Sequence, residues 1–207
     1  IAPDYVLCPA NMVDDLKAEL KKAYKKSFPT LRNNNDYTAI VNERQYNRLQ
    51  GYLADAQEKG ADIEALNNAN EDFTGTRKIP LTLVTNTTED MVIMQDEIFG
   101  PLLPILSYNN LTYALDYIND HPRPLALYLF SHNGHEQEFV LENTHAGGVA
   151  INDCLTHIAQ DDMPFGGVGD SGIGAYHGKE GFLSLSHAKS VHKKGRFNSG
   201  KFIHAPH

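Results

Sequence analysis

Residues 104–151, PILSYNNLTYALDYINDHPRPLALYLFSHNGHEQEFVLENTHAGGVAI, decide the fold. The run Pro104 to Tyr108 reads as a strand, and Thr112 to Asn119 follows as a helix. Leu125 to Phe130 is a second strand, His135 to Glu142 a second helix, and Gly148-Val149-Ala150-Ile151 a third strand. Strands that alternate with helices need crossover connections. This order therefore predicts an α/β fold, a mostly parallel twisted sheet flanked by helices, with functional groups gathered at the C-terminal strand ends.

Working outward, Tyr5-Val6-Leu7-Cys8 is a short apolar run closed by Pro9 and reads as another strand. A helix follows, with Asn11 as its expected cap and Val13, Leu16, Leu20, Tyr24 and Phe28 on one face. Asp14 and Asp15 in its first turn and lysines towards its end complement the helix dipole. A second amphipathic stretch, Glu43 to Lys59, places Tyr46, Leu49, Leu53 and Ala56 together and stops at Gly60, a plausible C′ glycine. Ile79 to Val84 is a further strand, with Pro80 tolerable only near its start or at an edge. Residues 61–78 and 152–181 show little periodicity, and long loops of this kind tend to carry or cover a site.

Composition narrows the class. The chain has 207 residues, 41% hydrophobic and 21% charged, with 16 Gly and 10 Pro, so it is neither disordered, collagen-like nor disulfide-stapled. No apolar run is long enough to span a membrane. Two cysteines, Cys8 and Cys154, are too few for a disulfide framework, which points to a reducing, cytoplasmic setting. The net charge is −8, which argues against nonspecific binding to nucleic acid or anionic lipid. No acidic residue follows Glu180, whereas Lys189, Lys193, Lys194, Arg196 and Lys201 add five positive charges, leaving −8 − 5 = −13 for residues 1–180. With no aromatic platform interleaving them, these charges read as an extended, solvated or subunit-contacting segment, a nucleic-acid arm being the alternative. The chain begins at Ile1 without a Met and without a signal-peptide pattern, so a piece of a longer protein is expected.

Several short motifs compete for a chemical role. Gly167-x-Gly169-x-x-Gly172 fits the dinucleotide fingerprint, yet no strand precedes it and no acidic residue follows Glu180 to hold a ribose. The other reading is a loop whose glycines pass close to backbone or to a ligand. Cys154 and His157 can form a thiol and base pair, or Cys154 can be a structural thiol; a Cys154 hydrolase lacks an identifiable orienting residue. His132-x-x-His135 lacks further ligands, so no metal site is expected. Asn86-x-Thr88 and Asn110-x-Thr112 match the glycosylation sequon but are expected to stay unmodified. Glu97-Ile98-Phe99-Gly100-Pro101 puts a carboxylate and a ring two residues apart, on the same side if extended. A carboxylate can accept hydrogen bonds from ribose hydroxyls and a ring can pack on a planar heterocycle, the alternative being a strand-edge Glu beside a core Phe.

Taken together, Glu97 to Pro101 (E-x-F-G-P), Ala126 to Ser131 (ALYLFS), Gly147 to Asp153 (GGVAIND), Pro164 to Gly167 (PFGG) and Ser171-Gly172-x-Gly174 occur in an order that resembles the aldehyde dehydrogenases. Gly174 to Phe182 (GAYHGKEGF) and Leu185-Ser186-His187 resemble the class 3 branch, acting on fatty and aromatic aldehydes, and within it the coniferyl aldehyde dehydrogenases. The resemblance spans nearly all of the chain.

The resemblance implies an NAD- or NADP-dependent oxidoreductase that converts an aromatic or long-chain aldehyde to its acid through a cysteine thioester. It implies that no catalytic residue lies in this chain, the Cys nucleophile being expected just upstream of Ile1 and the general-base Glu further upstream. Glu97 then resembles the ligand of the nicotinamide ribose, Phe99 the ring against the nicotinamide, and Phe165 an aromatic lining the aldehyde pocket. Asn152 resembles a strand-end residue, and Gly169 stands where many relatives carry a lysine. Residues 1–186 are expected to be part of the catalytic domain and 187–207 a C-terminal extended oligomerisation segment. The partners implied are the aldehyde, the missing N-terminal NAD-binding domain and a second copy in a homodimer. The isolated chain is expected to be inactive and to bind NAD weakly. The alternative is a noncatalytic nucleotide-responsive or oligomerisation domain.

Overall fold

The computed structural model describes residues 2–197. They fall into two units, one holding the residues up to Arg123 together with Phe130–His145, the other Pro124–Leu129 and the residues from Ala146 onward. The α/β class and the alternating order are as expected, with strands β1 (Val6–Pro9), β2 (Asp62–Ala65), β3 (Thr82–Thr85), β4 (Leu102–Tyr108), β5 (Ala126–Leu129) and β6 (Gly148–Ile151). The helices are α1 (Val13–Ser27), α2 (Glu43–Glu58), α3 (Leu111–Asp120), α4 (Gly134–Asn143) and α5 (Gly178–Ser184).

The first unit is built on a sheet in the order β1-β4-β3-β2. β4 runs parallel to both β1 and β3, and β2 is an antiparallel edge. That edge lies inside the stretch 61–78 that the sequence leaves without periodicity, because its burial pattern, exposed at both ends and half-buried between, carries no apolar alternation. Side chains alternate between two cores. Val84 and Leu102 pack with Leu49, Tyr52 and Ala56 of α2, whereas Leu83 and Ile105 pack with Cys8 and with Tyr24 of α1. Burial on both faces explains why β3 reads as a continuous apolar run.

Pro104 is tolerated inside the central strand β4 because it is the last residue paired with β3, and Ile105 is the first paired with β1. β3 begins at Thr82 and not at Ile79. Ahead of it the Tyr37 hydroxyl donates to the Ile79 carbonyl (2.6 Å) and the Leu81 amide donates to the Tyr24 hydroxyl (3.1 Å), so side chains occupy groups a longer ladder would use.

Asn11 does not cap α1. It lies within a 3-10 turn, Ala10–Met12, and the α-helix starts after Met12 with no side-chain cap. Asparagines do cap the next three helices. The carbonyl oxygens of the Asn42, Asn110 and Asn133 side chains accept from the Gln45, Tyr113 and His135 amides at 2.9, 2.8 and 3.0 Å. Asn110, the residue of one sequon, is thereby committed to α3. Gly60 has φ +92°, as a C′ glycine requires.

In the second unit β5 and β6 pair in parallel, and the Phe165 and Tyr176 backbones form an isolated antiparallel bridge that closes a glycine-rich loop. Residues 187–197 carry no helix or strand, and the remainder of the expected tail, including Lys201, lies outside the described residues. Among the described residues no helix is long and apolar enough to cross a membrane.

Candidate active site

The segment Asp96–Gly100 is neither an extended strand nor a place for a core phenylalanine. Ile98, 1% exposed, is the buried residue, while Phe99 is 78% exposed and takes φ +49°. The expected same-side arrangement of an extended chain therefore does not hold. The backbone turns over at Phe99, with Ile98 plugged into the core between α2 and the sheet. Glu97 and Phe99 both stand outward. A carboxylate and an aromatic ring are thus presented together by an arch rooted in the core.

Side chains distant in sequence hold the arch. The Arg48 guanidinium, from α2, donates through Nη1 to the Glu97 carbonyl (3.1 Å) and through Nη2 to the Ile98 carbonyl. The Ile98 amide donates to the Asp4 carboxylate at 2.9 Å. The Tyr52 hydroxyl donates to Asp96 Oδ2 at 2.7 Å and accepts from Arg48 Nη1 at 2.8 Å. Burial raises the Tyr52 phenol above its ordinary range, with its bond to Asp96 adding to the effect, so it stays a neutral donor. Just before the arch, Asp55 Oδ2 accepts from the Val92 amide (2.8 Å), and its other oxygen pairs with Lys59 (2.8 Å). Asp4, Arg48, Tyr52 and Asp96 are supports of the arch that motif reading misses. The only local signal is Arg48 four residues before Tyr52 on one helix, a spacing that places them side by side.

Phe165 belongs to the second unit. It is 9% exposed, and its ring lies against His157 (5.6 Å between centroids) and Tyr176 (5.8 Å, edge-on). His157 in turn meets Tyr128 at 5.8 Å, so four rings form a row. His157 is 9% exposed, and neither of its ring nitrogens has a hydrogen-bond partner. No hydrogen bond therefore links it to Cys154. Burial, and then the neighbouring Asp153 charge, raise the Cys154 thiol, which opposes the thiolate a nucleophile needs. Cys8, buried at the end of β1, is likewise raised by burial. Among the described residues no three His, Cys, Asp or Glu side chains are grouped to hold a metal.

The glycine cluster is explained by backbone packing. A Cβ on Gly167 would strike the Ser171 carbonyl and come within 2.6 Å of the Gly172 nitrogen, and one on Gly166 would strike the Gly174 carbonyl. The Ser171 hydroxyl fills the turn, accepting from the Val168 amide (2.9 Å) and donating to the Val168 carbonyl (3.0 Å). At the end of β6, Asn152 takes φ +56° and its amide donates to the Leu129 carbonyl (2.7 Å), a strand-end position as expected.

Residues 1–191 match the aldehyde dehydrogenase family. A probable coniferyl aldehyde dehydrogenase of Pseudomonas aeruginosa is 52% identical over all of this chain and 43% of its own length. A substrate-bound aldehyde dehydrogenase from Staphylococcus aureus matches with a TM-score of 0.86 at 41% identity, over all of this chain and 44% of that one. A Mycobacterium tuberculosis aldehyde dehydrogenase complexed with NAD+ matches with a TM-score of 0.79 at 25% identity, over 96% of this chain and 41% of that one. The chain thus spans less than half the length of these relatives. Family match, sequence identity and overall backbone similarity agree, and the chain belongs to the aldehyde dehydrogenase family.

Proposed function

We propose that this chain supplies part of the catalytic domain of an NAD- or NADP-dependent aldehyde dehydrogenase acting on an aromatic or long-chain aldehyde such as coniferyl aldehyde. The observation that carries the reading is the arch, which spends its backbone polar groups on the protein and leaves the Glu97 carboxylate and the Phe99 ring outward. These two groups suit a nicotinamide riboside. A carboxylate accepts hydrogen bonds from two neighbouring hydroxyls, and an exposed ring offers an apolar face to a planar heterocycle. Bound NAD(P)+ would supply the hydride acceptor. Phe165, fixed in its row of rings, is proposed to line the aldehyde pocket. The names of its relatives support the substrate class.

The raised thiols of Cys8 and Cys154 support a nucleophile other than these two cysteines, and the nucleophile and a general-base Glu are proposed to be contributed by residues outside this chain. There a cysteine thiolate would add to the aldehyde carbonyl, loss of a hydride from that adduct to bound NAD(P)+ would leave the thioester, and a Glu-activated water would cleave it to the acid and the free thiol. A second copy of the protein, as a homodimer, is the proposed partner of the C-terminal segment. The isolated chain, holding one wall of the cofactor site, is proposed to bind NAD weakly and to turn over no aldehyde.

The test uses the complete enzyme. Glu97→Gln removes the charge that strengthens bonds to the ribose, so NAD+ affinity should fall about 10-fold or more, as loss of a charged hydrogen bond does. An unchanged affinity would refute the role of Glu97. For the isolated chain, NADH formation from NAD+ and an aromatic aldehyde would refute the proposed inactivity.

A further inference from the structure

We infer that Arg48 is a positioning residue for the nicotinamide cofactor, acting through the backbone it holds and not by touching the ligand. This rests on the reading of Glu97 and Phe99 given above. Phe99 sits at φ +49°, a left-handed conformation that bulky L-residues rarely adopt. Such a conformation persists only where its surroundings over-determine it.

The over-determination is visible atom by atom. Ile98 is sunk in the core, its amide is taken by Asp4, and both carbonyls ahead of Phe99 are taken by the one guanidinium. After Phe99, Gly100 lies so close to Leu49 that an added Cβ would meet Leu49 Cδ1 at 2.6 Å. Arg48 is itself fixed. Its Nε donates to Gln45 Oε1 (2.6 Å), its Nη1 to the Tyr52 hydroxyl (2.8 Å), and its Cζ lies 4.9 Å from the centre of the Tyr52 ring. The peptide units from which Glu97 and Phe99 project are therefore locked to α2.

A guanidinium suits this task and an ammonium does not. Its planar fork reaches two successive carbonyls and a hydroxyl at once, whereas a lysine ammonium is a single point of charge on a flexible stem. Arg48→Lys therefore keeps the charge and loses the bracket. The arch should loosen, and the carboxylate and ring should lose their fixed placement.

The experiment compares wild type and Arg48→Lys in the complete enzyme by calorimetric titration with NAD+, amide hydrogen exchange, thermal midpoint and aldehyde KM. NAD+ dissociation constants should rise about 10- to 100-fold while aldehyde KM stays within about 2-fold, since a misplaced binding group costs on this scale. Exchange at residues 97–100 should accelerate without faster exchange in α2. In a Glu97→Gln, Phe99→Ala background the Arg48→Lys effect on NAD+ should largely vanish, because the groups it positions are gone. Unchanged NAD+ affinity on Arg48→Lys, or an effect that persists in full in that background, overturns the inference. If the background variant itself binds NAD+ like wild type, the reading of Glu97 and Phe99 fails, and hydrogen exchange still decides whether Arg48 holds the arch. If Arg48→Lys does not fold, Gln45→Ala, which frees only the Nε, should give a smaller shift in the same direction; no change in either affinity or exchange overturns the inference.

Discussion

The arch at Asp96–Gly100 and the loop at Phe165–Tyr176 both present residues proposed to face a ligand, and they are built in opposite ways. Side chains hold the arch. Arg48 and Asp4 reach its peptide groups and Tyr52 reaches the Asp96 side chain, all from distant parts of the chain, and Ile98 anchors it. The loop is held by backbone against backbone, with Gly166 and Gly167 where any Cβ would collide and the Phe165–Tyr176 bridge closing the ends. The first kind of support tolerates replacement of a side chain at a graded cost. The second fails on the addition of one carbon.

The largest effect should come from Gly167→Ala. Its methyl would collide with backbone at Ser171 and Gly172, which cannot move aside as a side-chain tip can. A destabilisation of about 3 kcal/mol is expected, at the upper end for overpacking, and urea unfolding measures it. A midpoint equal to wild type would show that the loop has slack and would erase the contrast.

An effect of opposite sign should follow in the same loop region from His157→Leu. Both imidazole nitrogens are buried without partners, and a buried donor or acceptor left unpaired costs free energy that an apolar side chain does not incur. Replacement should stabilise by about 1 kcal/mol in the same assay. A loss of stability instead would show that the ring row needs the imidazole itself.

The smallest effect concerns the approach to the arch. The bond from Lys59, then that from the Val92 amide, hold the Asp55 carboxyl below its ordinary range. A group with a depressed folded pKa stabilises above its unfolded pKa, and that contribution is lost as pH falls through the folded value. Asp55→Asn should therefore be less stable than wild type near neutral pH, with the two urea midpoints converging as pH drops below the ordinary carboxylate range. A difference that persists in acid would assign the effect to packing.

The elements from Pro104 to Ile151 are legible in the sequence because their apolar periods are local. β2 is not, because an exposed edge strand is defined by its partner β3 and not by its own pattern. Among the candidate residues, Glu97, Phe99 and Phe165 are recognisable through motif order. The conformation of Phe99 is not, since an aromatic residue at positive φ contradicts local preference and exists only where tertiary contacts outweigh it. Arg48 and Asp4 escape motif reading for the same reason, as their partners lie 49 and 94 residues away along the chain.

The sequence by itself determined the α/β class, the order of strands and helices from Pro104 to Ile151 and the family, because periodicity and short motifs survive in one dimension. Tertiary structure alone decided that Ile98 and not Phe99 enters the core, and which side chains hold the arch. It also decided that the glycines serve close backbone contact. Each of these depends on atoms brought together across the fold, where packing and satisfied hydrogen bonds set the lowest free energy.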